Sequence, residues 1–396
     1  MAYALEGIKV VDLSQMWAVP GSGMYLGDQG ADVIKVEPPW GDEGRRLLTA
    51  SPVETARGPL PRHFLPLNRN KRGMAVDITT GEGKDVVRKL VEKADVLLHN
   101  YRPEAAGRLG LDYDSLRTIN PRLIYLFFTP FGTKGPYAGK PAYDRVVQAL
   151  SGAQGRRHLP DGTPLSAGVW IADCASPMLI AYGIALALYM REKTGEGQKV
   201  EVSLLGGAIA MQSVDLVKAE REEEPRSFAD QAMYAPYCCQ DGRYLTIVVV
   251  SEKEWQALCR ALEVEHLAND SRFKSHHDRA ENSDLLYSIL EGIFSIRPRD
   301  EWLKALEEAD VPCAPILTPQ EVLYHPQLVE NELIVEVEDA RMGKVRMMGI
   351  PVKLSGAPGA IRRSAPDLGE HTDEVLAELG YSRAKIEELR QKKVVA

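Results

Sequence analysis

One acidic residue, Asp173, stands just before a long apolar stretch at residues 175–191. An Asp at the start of a helix ordinarily caps it, because its side chain accepts hydrogen bonds from unpaired backbone N–H groups. The same position also suits a nucleophile. There the helix dipole keeps the carboxylate ionised, apolar neighbours exclude water, and the group can attack an activated acyl carbon. The residues alone leave both roles open.

The first turn between a predicted strand and a predicted helix has the spacing of an anion-binding turn. Residues 21–23 (Gly-Ser-Gly) open a helix after the apolar run at residues 8–13, and Glu37 ends the following run. A dinucleotide fingerprint needs a third glycine where Leu26 stands, so the pattern favours an ordinary helix start over a nicotinamide or flavin site. The backbone N–H groups of the turn still suit a phosphate or carboxylate.

Basic and amide side chains flank two other predicted strands. Asn68, Asn70 and Lys71 come just before one strand, and Arg102 and Arg108 come just after another. Cations at one edge of a parallel sheet could converge on a polyanion. The alternative for each residue is an ordinary solvated loop charge, so only their joint placement indicates a binding site.

The composition argues against several other functions. The 396 residues carry 48 Lys and Arg against 56 Asp and Glu, a formal charge of −8 that does not favour a nucleic-acid surface. The five cysteines form neither a CxxC pair nor a zinc-like spacing with histidine, and no serine lies in a G-x-S-x-G elbow. We therefore expect a cytoplasmic protein with no bound metal, no nucleic-acid partner, no membrane span and no export signal.

Strand-like and helix-like runs alternate through the first half of the chain, which predicts an α/β fold with a doubly wound, mainly parallel sheet. Two long helices are predicted next, at residues 175–191 and 200–218. A charged run then marks a change of composition, which indicates a second, smaller α+β domain. The predicted organisation is a large domain at 1–217, a linker at 218–227, a small domain at 228–318 and a return segment at 319–396.

Short blocks along the whole chain carry a family resemblance: 5–13, 30–37, 120–124, 194–198, 312–317 and 368–372. In these blocks the sequence resembles the class III CoA-transferases. That family includes the formyl-CoA:oxalate and carnitine CoA-transferases and the related α-methylacyl-CoA racemases.

The resemblance implies a Rossmann-like large domain, a small α+β domain and an interlocked homodimer. It also implies that Asp173 is the nucleophile, forming a mixed anhydride with the acyl group of a thioester and then an aspartyl-CoA thioester. Acyl-CoA and a small carboxylate are the implied substrates, so coenzyme A takes part as a substrate and no prosthetic group is needed.

The resemblance further implies which residues line the coenzyme A site and the reacting thioester. Tyr143 and Asp144 are expected close to the thioester. The expected coenzyme A ligands are Trp17, Ala18, Asn68, Asn70, Lys71, Asn100, Tyr101, Arg102, Arg108 and Lys140.

Two departures from the family pattern bear on the alternatives. The racemases carry a histidine where Tyr143 stands, and a phenol with a pKa of about 10 cannot easily shuttle a proton near neutral pH. Racemisation of a 2-methylacyl-CoA is therefore a weaker hypothesis than CoA transfer. A CoA-binding protein without turnover is the other alternative. The glycine run that covers the intermediate in the formyl-CoA branch is also missing between Phe228 and Gly242.

Overall fold

The computed structural model describes residues 3–46, 61–220 and 232–396, and a six-stranded sheet is its central element. Its strands are β1 (Lys9–Asp12), β2 (Asp32–Glu37), β3 (Lys71–Ala75), β4 (Val96–Leu98), β5 (Ile124–Thr129) and β6 (Lys199–Ser203). All neighbouring pairs are parallel, in the order β3-β2-β1-β4-β5-β6. The strand order reverses beside β1, where α/β sheets open a crevice at their carboxyl edge. The predicted parallel α/β sheet is confirmed.

Helices pack on both faces of this sheet. The first eight are α1 (Ala18–Asp28), α2 (Phe64–Asn68), α3 (Gly81–Glu92), α4 (Pro103–Leu109), α5 (Tyr113–Ile119), α6 (Asp144–Leu150), α7 (Ile171–Thr194) and α8 (Leu204–Ala210). On one face, Val86 and Leu90 of α3 pack against Val11 and Leu97 of the strands. On the other face, α1 and α7 cover the sheet. Apolar side chains on both faces explain why the strands read as continuous hydrophobic runs.

The chain forms two compact units. One comprises Met1–Val217 with Pro326–Ala396, and the other comprises Lys218–His325. The second unit contains an antiparallel sheet, in the order β7-β8-β9, with its own apolar core. Its elements are β7 (Pro236–Cys238), β8 (Tyr244–Ile247), α9 (Glu252–Ala261), α10 (Glu265–Ala268), α11 (His276–Glu281), α12 (Ser283–Phe294), α13 (Arg299–Glu308), β9 (Cys313–Pro315) and α14 (Pro319–Val322).

The C-terminal part of the chain returns to the first unit. Its elements are α15 (Pro326–Glu330), β10 (Ile334–Asp339), β11 (Gly343–Met348), α16 (Thr372–Glu378) and α17 (Arg383–Gln391). Strands β10 and β11 form an antiparallel hairpin. Leu376 of α16 and Leu389 of α17 belong to the same core cluster as α3, so the C-terminal residues help to cover the parallel sheet.

The two helices predicted at 175–191 and 200–218 differ from the structure. Helix α7 begins four residues earlier, at Ile171, and ends at Thr194. The next residue, Gly195, has a φ of 76°, the left-handed conformation that commonly stops a helix. Residues 199–203 form β6, the edge strand paired with β5, because Val200 and Val202 alternate with polar residues. Only Leu204–Ala210 is helical, as α8.

Helix α7 is long and apolar enough to cross a membrane by composition. Its Ile180, Ile184 and Leu188 are nevertheless buried against strand residues Val96 and Leu126. A core helix of an α/β protein satisfies the same composition test. We therefore describe α7 as part of the sheet-covering layer.

Candidate active site

Helices α1 and α7 lie side by side at their N-terminal ends. A Cβ atom built on Gly21 would stand 2.9 Å from the Cγ of Pro177, closer than real Cβ contacts come. Glycine at position 21 therefore allows the two backbones to approach each other. This contact brings Trp17, the residue before α1, onto Trp170, the residue before α7, with ring centroids 4.8 Å apart.

Asp144 satisfies the N-terminal end of α7. Its Oδ1 accepts hydrogen bonds from the backbone N–H groups of Ala172, at 2.8 Å, and Asp173, at 3.0 Å. The side chain of Gln148 also donates to Asp144, which is only 1% exposed. Because Asp144 already receives these N–H groups, it takes the role usually held by an N-cap side chain.

Asp173 is therefore not the N-cap, which corrects that interpretation of the sequence. The N-cap is Trp170, and Asp173 is the third residue of α7. Within the described parts of the chain, the Asp173 carboxylate accepts no hydrogen bond, and it is not needed to hold the helix end. A carboxylate in this position keeps its lone pairs for chemistry.

The environment of Asp173 raises its pKa to about 7. Burial is the larger cause, because it penalises the charged form, and the negative charge of Asp144 adds to it. Burial and the charge of Asp144 therefore act against the helix dipole, which was expected to keep this carboxylate ionised. A carboxylate of this basicity is a stronger nucleophile than an ordinary aspartate once it is ionised, and it titrates near neutral pH.

Aromatic rings line the mouth of α7. Trp17 also contacts His63, at 4.6 Å between ring centroids, and the guanidinium of Arg145 lies 4.9 Å from the centre of the Trp170 ring. The Nε1 of Trp17 and the Nε2 of His63 are buried without a hydrogen-bond partner among the described residues. Sequence reasoning missed His63, Arg145 and Trp170; only Trp170 had a visible signal, since it stands three residues before Asp173.

Tyr143 lies on the exposed side of the same region. It is the residue before α6, and 67% of it is exposed, whereas its neighbour Asp144 is buried. Two residues were expected near the thioester. One of them, Asp144, accepts hydrogen bonds from the backbone beside Asp173. The Tyr143 side chain stands in solvent in the single chain.

The side chains of Lys71 and Asn70 form hydrogen bonds with other residues inside the fold. The Lys71 ammonium donates to Asp12, at 2.8 Å, to the carbonyl oxygen of Pro20, at 2.8 Å, and to Asn68, at 3.0 Å. Burial lowers the pKa of Lys71 to about 8, because the loss of water outweighs the attraction of Asp12. The Asn70 amide donates to Asp28 and to the carbonyl oxygen of Ala360, each at 2.8 Å.

These contacts correct the expectation that the Lys71 charge faces a phosphate. Asn68, Asn70 and Lys71 are all buried, so their side chains hold the loop in place and do not reach the surface. Lys71 is the first residue of β3, and its side chain points to the buried Asp12 of β1.

Of the other expected coenzyme A ligands, Ala18 is buried in the core, and Trp17, Asn100 and Tyr101 are half-buried. Asn100 exchanges hydrogen bonds with the backbone of Gln15, and burial raises the pKa of Tyr101 to about 12. Arg102, Arg108 and Lys140 are exposed and form no ion pair within the described residues. These three cations are therefore the predicted positive groups still available to an anion.

Comparison with known proteins shows which family this chain belongs to. The family model for CoA-transferase family III matches residues 5–372. The chain belongs to that family, and the resemblance inferred from the sequence is confirmed. Related proteins in the family are named CoA-transferases, so the protein is an enzyme of this class, and its substrates include CoA thioesters.

The relatives are similar along almost their whole length. Formyl-CoA:oxalate CoA-transferase of Streptomyces coelicolor is 32% identical, with 100% of both chains covered. Succinate–glutarate CoA-transferase of Agrobacterium fabrum is 33% identical, with 95% of both chains covered. A CaiB/BaiF family protein of Brucella suis has a solved structure that matches with a TM-score of 0.84 and 33% identity, covering 96% of this chain and all of that one.

Proposed function

We propose that the protein is an acyl-CoA:carboxylate CoA-transferase that works through a covalent intermediate on Asp173. One observation carries the proposal. The Asp173 carboxylate is half-buried and has no hydrogen-bond partner among the described residues, while Asp144 caps the helix in its place. A carboxylate that only supported the fold would be expected to accept the N–H groups that Asp144 accepts.

The proposed reaction begins when Asp173 attacks the thioester carbonyl. The C–S bond breaks, CoA leaves as thiolate, and the acyl group and Asp173 form a mixed anhydride. The thiolate then attacks the aspartyl carbonyl, which releases the first carboxylate and leaves an aspartyl-CoA thioester. The acceptor carboxylate attacks the carbonyl of this thioester, the C–S bond breaks to release CoA thiolate again, and a second anhydride forms. CoA thiolate returns to the acceptor acyl carbon and frees the Asp173 carboxylate.

Coenzyme A is proposed to bind along the carboxyl edge of the sheet. The supporting groups are the exposed cations Arg102, Arg108 and Lys140, which suit its phosphates. Trp17, Ala18, Asn100 and Tyr101 would contact the rest of the molecule. Asn68, Asn70 and Lys71 would act from beneath by holding this edge in place.

We also propose that the active enzyme is a homodimer in the cytoplasm. Helix α7 presents a row of exposed apolar side chains on the side away from the sheet: Met178, Tyr182, Leu186, Tyr189 and Met190. An apolar row of this length beside the candidate site is suited to a second copy of the chain. All five cysteines lie among the described residues as free thiols, which fits a reducing compartment.

The decisive test is chemical trapping of the intermediate. The names of the relatives provide a starting panel, namely formyl-CoA or succinyl-CoA as donor and oxalate or glutarate as acceptor. After incubation with donor alone, hydroxylamine should convert Asp173 to a hydroxamate, detected by peptide mass spectrometry. Asp173→Asn should give no adduct and no transfer while still binding CoA.

A matched control for this test is Asp114→Asn, because Asp114 also lies in the first turn of a helix but is exposed. It should keep both the adduct and the activity. Full transfer activity in Asp173→Asn would contradict the assignment. Exchange of the α-hydrogen for deuterium without an adduct would instead favour the racemase.

A further inference from the structure

Two buried ion pairs lie beneath the turn that leads from β1 to α1. Lys35 pairs with Asp42 at 2.7 Å, and Lys71 pairs with Asp12 at 2.8 Å. All four side chains have no exposed surface. Burying ion pairs is costly, and apolar side chains of similar size often stabilise a fold equally well. Their presence therefore calls for an explanation beyond stability.

Besides each other, these side chains bind the backbone of the turn. The Lys35 ammonium donates to the carbonyl oxygen of Ser14 at 3.0 Å. Asp12 accepts the backbone N–H of Ser14, also at 3.0 Å. Both backbone groups of Ser14 are thus held by buried charges, one from each ion pair.

The same charges hold the rest of the turn. The carboxylate of Asp42 accepts the backbone N–H of Met16 at 3.1 Å, and Lys71 donates to the carbonyl oxygen of Pro20 at 2.8 Å. Met16 has a φ of 72°, which is a strained conformation for a residue with a side chain. Such strain persists only when surrounding contacts fix the backbone, and it is concentrated at functional sites.

The turn fixed in this way presents the Trp17 ring to the mouth of α7. Trp17 follows the strained Met16 directly and packs on Trp170, which precedes the helix turn that contains Asp173. The buried charges are therefore linked to the candidate nucleophile through one short backbone segment and one aromatic contact.

We propose that Lys35 and Lys71 are positioning residues that hold residues 14–17 so that Trp17 is fixed against the head of helix α7. This role rests on the proposed function, since it gives the turn a task in CoA transfer. Neither lysine touches the reacting atoms. Each acts through the backbone of the turn.

The chain offers a matched control in Arg72. It is the next residue after Lys71 on β3, and successive strand residues point to opposite faces of a sheet. Arg72 is also a buried cation, but it pairs with Asp32 at 2.6 Å, Glu374 at 2.7 Å and Glu378 at 2.8 Å, away from the turn. Removing it should destabilise the fold without releasing Trp17.

The experiment uses protein labelled with 5-fluorotryptophan and compares Lys35→Met, Lys71→Met and Arg72→Met at pH 7. The fluorine resonance of Trp17 is assigned from its loss in Trp17→Phe. We expect this resonance to shift or broaden in both lysine variants and to stay unchanged in Arg72→Met. A displacement of the turn by about 1 Å should lower kcat/KM for transfer by about 10- to 100-fold in the lysine variants.

The two readouts separate the possible failures. An unchanged Trp17 resonance in folded lysine variants overturns the positioning role, and so does a moved resonance with unchanged kcat/KM. Absence of transfer in the unmodified enzyme contradicts the proposed function instead. If a lysine variant does not fold, Asp42→Asn replaces it, because an amide of the same shape removes only the negative charge that pairs with Lys35. Asp42→Asn should shift the Trp17 resonance in the same way. An unchanged Trp17 resonance in Asp42→Asn overturns the role of the Lys35–Asp42 pair.

Discussion

Two neighbouring carboxylates divide the work at the head of α7. Asp144 is bound by N–H groups, whereas Asp173 is half-buried with a pKa raised to about 7. Because only the ionised form of Asp173 can attack a thioester, kcat/KM for transfer should rise with pH and level off above about pH 7. In Asp144→Asn the capping oxygen remains and the negative charge is lost, so this rise should move to lower pH.

The measurement for that prediction is the pH profile of kcat/KM in both proteins. Asp114→Asn removes a carboxylate from an exposed helix start, and its profile should match that of the unmodified enzyme. A profile in Asp144→Asn that does not move would show that the charge of Asp144 does not act on Asp173.

The raised pKa of Asp173 also predicts a cost in stability. A carboxyl group whose folded pKa lies above its unfolded value contributes stability at low pH, and this contribution is lost as pH rises through the folded pKa. The stability that Asp173 contributes should therefore fall between about pH 4, where this group ionises in the unfolded chain, and about pH 7, where it ionises in the folded protein. Asp173→Asn has no such loss, so its thermal midpoint should exceed that of the unmodified protein more at pH 8 than at pH 5. Equal differences at the two pH values would contradict the burial of this charge.

At the scale of elements, the contact between α1 and α7 determines where Trp17 and Asp173 meet. Gly21→Ala would place a methyl group 2.9 Å from Pro177 and push the helices apart. Overpacking of this kind should cost about 1–3 kcal/mol in the free energy of unfolding, measured by urea denaturation. Transfer activity should fall as well, because the two helix ends separate.

The control for the helix contact is Gly107→Ala in α4. No atom lies within 4 Å of a Cβ built on Gly107, so the alanine should be neutral or stabilise the helix by up to about 1 kcal/mol. Equal stability of Gly21→Ala and Gly107→Ala would show that the two helices do not depend on a glycine at their contact.

The elements of the sheet could be predicted because their signals are local. Apolar runs such as β2 and the amphipathic α3 are visible in a few consecutive residues. Strand β6 was predicted as helix, since its alternation is short and merges with the apolar residues of α8. Partner choice is not local: nothing near Lys71 indicates that it pairs with Asp12, 59 positions away, and not with a ligand.

The candidate site shows the same limit. Asp173 and Asp144 could be selected from the sequence through the family resemblance, but their division of roles could not. It depends on which carboxylate reaches the N–H groups of α7, and this follows from how α6 packs beside that helix. His63 and Arg145 join the site only through tertiary contacts with tryptophan rings.

At the scale of the whole molecule, the exposed row on α7 predicts how the enzyme assembles. Tyr182 is 64% exposed in the middle of that row, and a charge there would have to be buried in a dimer. Tyr182→Glu should therefore convert the dimer to a monomer in size-exclusion chromatography with light scattering. Val352→Glu, at a position 61% exposed outside the row, should remain dimeric.

Assembly should also affect activity. Exposed Tyr143 and Trp170 lie beside buried Asp144, where a second copy of the chain would complete the site. The Tyr182→Glu monomer should therefore lose transfer activity while keeping its helical circular-dichroism signal. A monomeric unmodified enzyme, or a fully active Tyr182→Glu monomer, would contradict this assembly.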